Sequence, residues 1–445
     1  MSGWPSRIAG IAVCVVAAVA PAQEKPGPVY PNLLVEISRP MADEMGRQEI
    51  DQTDPICQNK GKLTLVGSQH TRALISTTFV PSGNGAIMDL VLSGGTNANT
   101  DAYQGKVHLN LSTRVSYTAH KRILINELGV TDIGPAASCP RLDENTLNCI
   151  GTSFRGPLDP LVRKIATRVY YKKLPETEAG IIRDAREQIE KQFNETAAKQ
   201  LAETNARYVK EIRDPLTKRN AWPQRFRFLT SDTQLGVRLL LNDPRGKPQS
   251  FVPPPDVPDG LDFAVRVEQS YPMNVTQGAF AGKTFTSAQL EKEFNLLAGP
   301  LGKEVKIDEA GETGFSITFP DDRPMVFKFD KQTVTVTFRG KEFNTGESSQ
   351  GAWDITAVYK LRKTARGFVA ERQGELVVYP PGFDLNKGDR LSLQDKAFQR
   401  LLQKKFGRVL TEKMEIKGKA DLVTRVIESD KGWLVLGMAL DAKKK

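Results

Sequence analysis

The sequence predicts an α+β fold of two halves, each a long curved antiparallel sheet wrapped around an amphipathic helix. Three observations predict it. The first is a block order that occurs twice: strands over about Lys62–Ile125, a helix over about Glu176–Arg213 and a strand near Arg225–Leu241, then strands over about Val305–Tyr379, a helix near Leu393–Glu412 and strands to Leu440. The second is that apolar and polar residues mostly alternate in the strands, which buries one face and wets the other. The third is that each helix carries a single apolar stripe, so each has one sheet to lie on.

The chain has 445 residues. It opens as a secretory signal over 1–22. Arg7 supplies the positive n-region, Ile8–Ala20 is apolar, and Ala20-Pro21-Ala22 fits an A-x-A cleavage site. That run is too short to span a bilayer, which takes ~20 residues. No later stretch is apolar for that long, so no transmembrane span is expected after cleavage. Residues 23–250 form the first half. Asn32–Gly46 reads as a short element interrupted by Pro40. Leu63/Leu65, Ala73/Ile75/Thr77/Phe79, Ile87–Leu92, Val107/Leu109/Leu111 and Val115/Tyr117 alternate as a meander. Loops are expected at Pro81–Gly85 and over Gly94–Gly105, from their turn-forming residues.

The long helix is predicted to start after Pro175. Ile182, Ala185, Ile189, Phe193, Ala197, Leu201, Tyr208 and Ile212 recur at three- and four-residue steps, and Asp214-Pro215 ends it. Residues 251–259 (Phe-Val-Pro-Pro-Pro-Asp-Val-Pro-Asp) form a Pro-rich linker. The second half, 260–445, opens with strand Phe263–Val267. Thr286 and Gln289 fit a capping box for a short helix that buries Leu290, Phe294 and Leu297 and stops at Gly299-Pro300. Strands follow at Phe315/Ile317/Phe319, Val334/Val336/Phe338 and Trp353/Ile355/Ala357/Tyr359/Leu361. A helix buries Phe398, Leu401, Leu402, Phe406, Val409 and Leu410, and a last hairpin turns at Ser429–Gly432. Trp222, Trp353 and Trp433 read as core.

Signal removal would lower the net charge from +10 to +9, because Arg7 is the one charged residue within 1–22. A basic balance favours anionic partners. Export argues against nucleic acid and for an anionic envelope component. Cys57, Cys139 and Cys149 survive cleavage into an oxidising compartment. Cys139 and Cys149 bracket Pro140 and Asp143-Glu144-Asn145, which read as a turn, so they are the candidate disulfide. A bridge from Cys57 to either remains open.

No catalytic signature is present: no G-x-S-x-G, no H-E-x-x-H, no P-loop and no G-x-G-x-x-G. No metal site and no cofactor are expected, since there is no C-x-x-C and the only histidines are His70, His108 and His120. His108 is out of phase with the apolar positions and is expected in solvent. Asp321-Asp322 between prolines reads as a turn.

Signal, one-sided strands and a helix along a curved sheet in each of two halves resemble the tubular lipid-binding (TULIP) superfamily, which includes the bactericidal/permeability-increasing proteins. The stretches Gly85–Gly94 (GAIMDLVLSG), Lys121–Gly129 (KRILINELG) and Arg213–Asp232 (RDPLTKRNAWPQRFRFLTSD) are also similar to a family of exported bacterial proteins with no established activity, so no site residue carries over. The superfamily resemblance implies a non-enzymatic carrier of an apolar or lipid ligand, held in a groove between sheet and helix. The expected location is the periplasm or the extracellular space. The alternative is a structural or interaction protein of the cell envelope that binds an acidic polymer or a protein partner. A third reading is a hydrolase site built from His70 or His120 with Asp101 or Asp132.

Overall fold

The computed structural model describes residues 29–154, 158–245, 252–298, 306–307, 314–345, 349–365, 367–417 and 422–441. The expected signal, Phe251 and Gly299-Pro300 lie outside these residues. In chain order the elements are β1 (Leu33–Ser38), α1 (Arg39–Gly46), β2 (Gln48–Lys60), β3 (Leu63–Val80), β4 (Ala86–Gln104), β5 (Val107–Asn126), β6 (Gly129–Asp132), β7 (Ala137–Thr152) and α2 (Leu158–Tyr208). A π-turn at Val209–Arg213 and α3 (Asp214–Lys218) precede β8 (Arg225–Thr230), β9 (Gln234–Leu240), β10 (Phe263–Glu268), α4 (Ser270–Phe280), β11 (Thr284–Thr286) and α5 (Ser287–Ala298). Then come β12 (Ser316–Thr318), β13 (Met325–Asp330), β14 (Thr333–Gly340), β15 (Glu342–Asn344), β16 (Ser349–Gln350), β17 (Trp353–Thr364), β18 (Gly367–Arg372), β19 (Val377–Tyr379), α6 (Leu393–Val409), β20 (Lys413–Lys417), β21 (Leu422–Asp430) and β22 (Trp433–Leu440).

The described chain forms two compact units. Unit 1 holds residues 39–208 and 229–235, and unit 2 holds 29–38, 209–228 and the residues from 236 onward. This differs from a division at the Pro-rich segment, since Val252–Asp259 falls inside unit 2. The two-halves expectation is not confirmed, for a concrete reason. β8 and β9, read as closing the first half, instead join β1, β10, β22 and β21 in one six-stranded sheet, in the order β21-β22-β10-β1-β9-β8.

Unit 1 is an antiparallel meander, β2-β3-β4-β5, whose last strand pairs β6 at one end and β7 along the rest of the same edge. Pro55 is tolerated because β2 is the edge strand, where a missing N–H breaks no inner ladder. The Pro81–Gly85 turn is where expected. The loop expected over Gly94–Gly105 is strand: β4 pairs β3 without a break from Ile87↔Val80 to Tyr103↔Thr64. Its polar residues form an outer-face ladder instead of a loop. Arg114 Nε donates to Asn97 Oδ1 (2.9 Å), Asn110 Nδ2 to Asn99 Oδ1 (3.1 Å) and Asp101 Oδ1 (2.9 Å), and Asn148 Nδ2 to Asn110 Oδ1 (2.8 Å).

α2 starts at Leu158, well before the expected boundary, and Pro175 lies inside it. Proline removes one helical hydrogen bond there, and Pro175 and Tyr171, the residue four before it, are both exposed. The helix lies against β5, β6 and β7. The expected stripe buries Phe193, Ala197 and Tyr208, with Ile212 buried in the following turn.

Unit 2 also contains the sheet β13-β14-β17-β18-β20, with β19 on β17, and the small sheet β11-β12-β15-β16. β17 alternates as expected, with Trp353, Ile355, Ala357, Tyr359 and Leu361 buried. Burial pushes the Tyr359 phenol up to about 12, with Arg372 working against the shift. The capping box forms: Thr286 N donates to Gln289 Oε1 (2.9 Å) and Gln289 N to Thr286 Oγ1 (3.3 Å). Trp353 and Trp433 are core, while Trp222 is half-buried under Arg213 at 5.8 Å. The hairpin expected at Ser429–Gly432 turns on Lys431 and Gly432, both at positive φ.

Glu268 of β10 is 3% exposed and accepts from Ser270 N at 2.8 Å. Burial pushes its carboxyl above the ordinary range, and the Ser270 hydrogen bonds pull the other way. The folded chain therefore keeps this proton to higher pH than the unfolded chain. The group contributes stability that is fully present below the ordinary glutamate value of 4.5 and is lost as pH rises through the folded value. The urea midpoint of unit 2, followed by tryptophan emission, should fall across that window, and Glu268→Gln should flatten the fall. Equal slopes in the two proteins would refute the assignment.

Candidate functional site

The site is built from the inward face of the unit 1 sheet and the helix lying on it. In the part of the sheet nearest the β3–β4 turn this face is fully buried: Ala73, Ile75, Thr77 and Phe79 on β3, Met88, Leu90 and Leu92 on β4, and Val115, Tyr117 and Ala119 on β5. Because the β3–β4 and β4–β5 registers have no shift, the same face continues through Leu63, Leu65, Ala98, Leu109 and Leu111. β7 adds Leu147 and Ile150, which stand opposite Leu111 and Leu109. All seven of these continuing residues are only half-buried. The result is an apolar trough-like face that is only partly covered. Along β5, Val107–Thr113 spans about 20 Å at ~3.3 Å per residue.

Polar pins hold α2 on the other end of the sheet. Lys121, 1% exposed, donates to Gly134 O (2.9 Å) and Asn194 Oδ1 (2.7 Å) and pairs with Asp132. Asn194 Oδ1 also accepts from Ala136 N (2.9 Å), and Glu190 Oε1 accepts from Ser138 N (2.9 Å) and Oγ (3.0 Å). Asn205 clasps Val130 through both amide atoms, accepting at 2.9 Å and donating at 2.7 Å. Gly129 at φ +119° makes that clasp fit, since a Cβ there would sit 2.3 Å from Asn205 Oδ1. These partners are far apart in the chain, and no local pattern marks them.

The trough differs in leaving polar atoms unused. Asn145 Nδ2 and Oδ1 and Tyr170 Oη are buried with no hydrogen-bond partner among the described residues. Asn145 stands opposite Thr113, on the inward face. Tyr170 is one of the buried residues of α2. Thr152 Oγ1 bonds the Asp159 carboxylate, which ties the strand end to the helix start. Counted from that tie, Asn145 lies about 23 Å along the strand and Tyr170 about 17 Å along the helix. Burial raises the Tyr170 phenol pKa, with Glu178 and Tyr171 adding to it. A long apolar face with a donor–acceptor amide and a phenol suits an apolar body bearing one polar group. Neither residue was singled out from the sequence.

The histidines form no catalytic set. His70 Nε2 lies 2.6 Å from Asp51 Oδ1, and that hydrogen bond, with Arg72, holds the Asp51 carboxyl below its usual range. Asp101 is engaged by Asn110, and Asp132 by Lys121. His120 is exposed. His108 is not simply solvated: it stacks on Tyr103 at 5.6 Å over Gly151, where a Cβ would fall 1.8 Å from the imidazole. Asp322 pairs with Arg245 (2.6 Å), which also binds Asp243 (2.7 Å).

The expected Cys139–Cys149 bridge is absent. Both residues lie on the continuous strand β7, and all three described cysteines are free and exposed. Ten residues of strand separate them by about 33 Å, whereas a disulfide needs Cα atoms within ~7 Å. The stretch read as a turn pairs with β5 throughout, accommodated by two register shifts.

The seam beneath α6 in unit 2 is filled, contrary to a groove in each half. Phe398 packs on Phe343 (5.7 Å) and Trp353 (5.5 Å), and Phe406 on Phe315 (5.9 Å) and Phe338 (5.5 Å). A pocket of about 70 Å³ remains beside Phe315, Phe343, Phe398 and Leu402. Ligand sites run to ~300–1,000 Å³, so this one does not hold an acyl chain.

No helix among the described residues is long and apolar enough to cross a membrane. No protein-family model and no curated protein matches the sequence. Among solved structures, a lipopolysaccharide binding protein aligns over 93% of this chain and 99% of its own, at 11% identity and a TM-score of 0.34, a level of similarity that carries no argument about fold or ligand.

Proposed function

We propose that this chain is an exported, non-enzymatic binding protein that takes an apolar or lipid ligand into the sheet–helix trough of unit 1. The observation that carries this reading is the half-buried face Leu63, Leu65, Leu109, Leu111, Leu147 and Ile150, with the buried atoms of Asn145 and Tyr170 left unpartnered among the described residues. Unpartnered buried polar groups cost about 1–3 kcal/mol each, and a ligand group that bonds them recovers that cost. Export is supported by Arg7, the apolar run Ile8–Ala20 and Ala20-Pro21-Ala22.

The test is uptake of a fluorescent fatty acid by the purified protein, together with native mass spectrometry of the protein as isolated. Leu109→Asp places a carboxylate on the trough wall and should weaken uptake at least ~10-fold, while circular dichroism and melting stay near wild type. Asn145→Leu should weaken ligands with a polar head more than plain hydrocarbon. A ligand-free protein that takes up no probe, or uptake unchanged in Leu109→Asp, would sink the proposal.

A further inference from the structure

α2 begins with a face that no part of the described chain covers. Leu158, Leu161 and Ile165 are each 55% exposed and Val169 is 49% exposed. At 3.6 residues per turn these four fall within an arc of about 80°, a single stripe turned away from the sheet. Lys164 and Arg168 lie along one flank, Lys172 closes the stripe one turn beyond Arg168, and Lys173 borders the other flank; all four are exposed. Asp159 is the only acid from Leu158 to Pro175, and it is taken by Arg163 (3.0 Å) and Thr152. The four cations are therefore left without an acidic partner among the described residues. The same end of unit 1 presents Tyr103, 44% exposed, beside the β4–β5 turn, and Lys106 O of that turn accepts from Ser153 N at 2.9 Å.

We infer that this end of unit 1 docks on a bilayer carrying anionic headgroups. An apolar stripe bordered by unpaired cations is the pattern of a helix lying in a membrane interface: the apolar side chains enter the acyl boundary and the cations meet headgroup charge. Tyrosine suits that level because its ring is apolar and its hydroxyl is wet. A second copy of the chain fits less well, since packing stripe on stripe would bring Lys164, Arg168 and Lys172 against their own like charge. The inference stands apart from the trough and does not require it to be occupied.

The experiment is co-sedimentation of the purified protein with phosphatidylcholine vesicles, with and without phosphatidylglycerol. Binding should require the anionic lipid and weaken with salt. Each cation near such a surface contributes about fivefold, so the double charge reversal Lys164→Glu/Arg168→Glu should cost at least ~25-fold. Leu161→Ser/Ile165→Ser should also abolish binding while leaving melting and fatty-acid uptake without vesicles unchanged. Equal binding to phosphatidylcholine alone, or no binding at all, overturns the inference. So does loss in the charge-reversed protein but not in the serine protein, which would assign the cations to an acidic polymer. A dimer by light scattering that the serine pair dissociates also overturns it, in favour of a second copy. Failed fatty-acid uptake with intact vesicle binding would count only against the trough.

Discussion

Phe280→Ala should lower the stability of unit 2 by about 4 kcal/mol, within the ~3–5 kcal/mol typical of a buried phenylalanine cut to alanine. Phe280 is 0% exposed and closes α4 onto its neighbours. Its ring lies 5.3 Å from Phe285, 5.7 Å from Phe294 and 5.2 Å from Phe319, so it joins three separate elements at one point. Truncation loses the transfer free energy of the ring and leaves a cavity that stiff aromatic neighbours cannot collapse into. The measurement is a urea titration followed by tryptophan emission, because Trp222, Trp353 and Trp433 all belong to unit 2. An emission midpoint within error of wild type would show that the aromatic cluster does not limit the stability of this unit.

Lys121→Ala should loosen α2 from its sheet and cost about 3 kcal/mol, while leaving the tryptophan transition in place. Lys121 is a fully buried cation of unit 1 whose partners reach both the sheet side and the helix: Asp132, Gly134 O and Asn194. Removing it takes away the aliphatic stem that fills the seam and leaves acceptors behind it, and a buried pair broken on one side costs ~3–5 kcal/mol. The lower end applies because Asp132 is 40% exposed and water can replace the lysine there. Hydrogen exchange at the amides around Asn194 and Asn205 is the readout, with faster exchange confined to unit 1. Lys121→Met should recover part of the loss by restoring the stem without a charge to satisfy. If Met is as damaging as Ala, the ionic contacts carry the docking and packing does not.

Much of the local structure was legible in the sequence, because burial in strands and helices repeats with a fixed period. Trp353 to Leu361, the Thr286/Gln289 cap and the stripe through Phe193 and Ala197 all follow from that. The misreadings arise where a tertiary partner overrides a local cue. Gly94–Gly105 looks like a loop until β3 and β5 satisfy its backbone on both sides. Asp143-Glu144-Asn145 looks like a turn until β5 holds it straight, and this is what removes the disulfide. Pro175 looks like a helix start, yet the helix tolerates it on an exposed turn. The candidate site was less visible still. Leu109 and Leu111 read as ordinary strand positions, and nothing near Asn145 or Tyr170 in the chain shows that their polar atoms lack partners.

The sheet order β21-β22-β10-β1-β9-β8 has a consequence for synthesis. Its inner strands come from residues 33–38, 234–240, 263–268 and 433–440, so nearly the whole length of the chain lies between the first and the last. Unit 1 is thus an insertion between Ser38 and Val209 of unit 2, apart from the small return at 229–235. Its meander of sequential hairpins can form as soon as residue 208 is available, whereas the sheet holding β1 and β10 is completed only with β22. Non-local pairing of this kind folds slowly and leaves strand edges open meanwhile. Chains truncated before Trp433 should therefore carry a folded insertion within an aggregation-prone host.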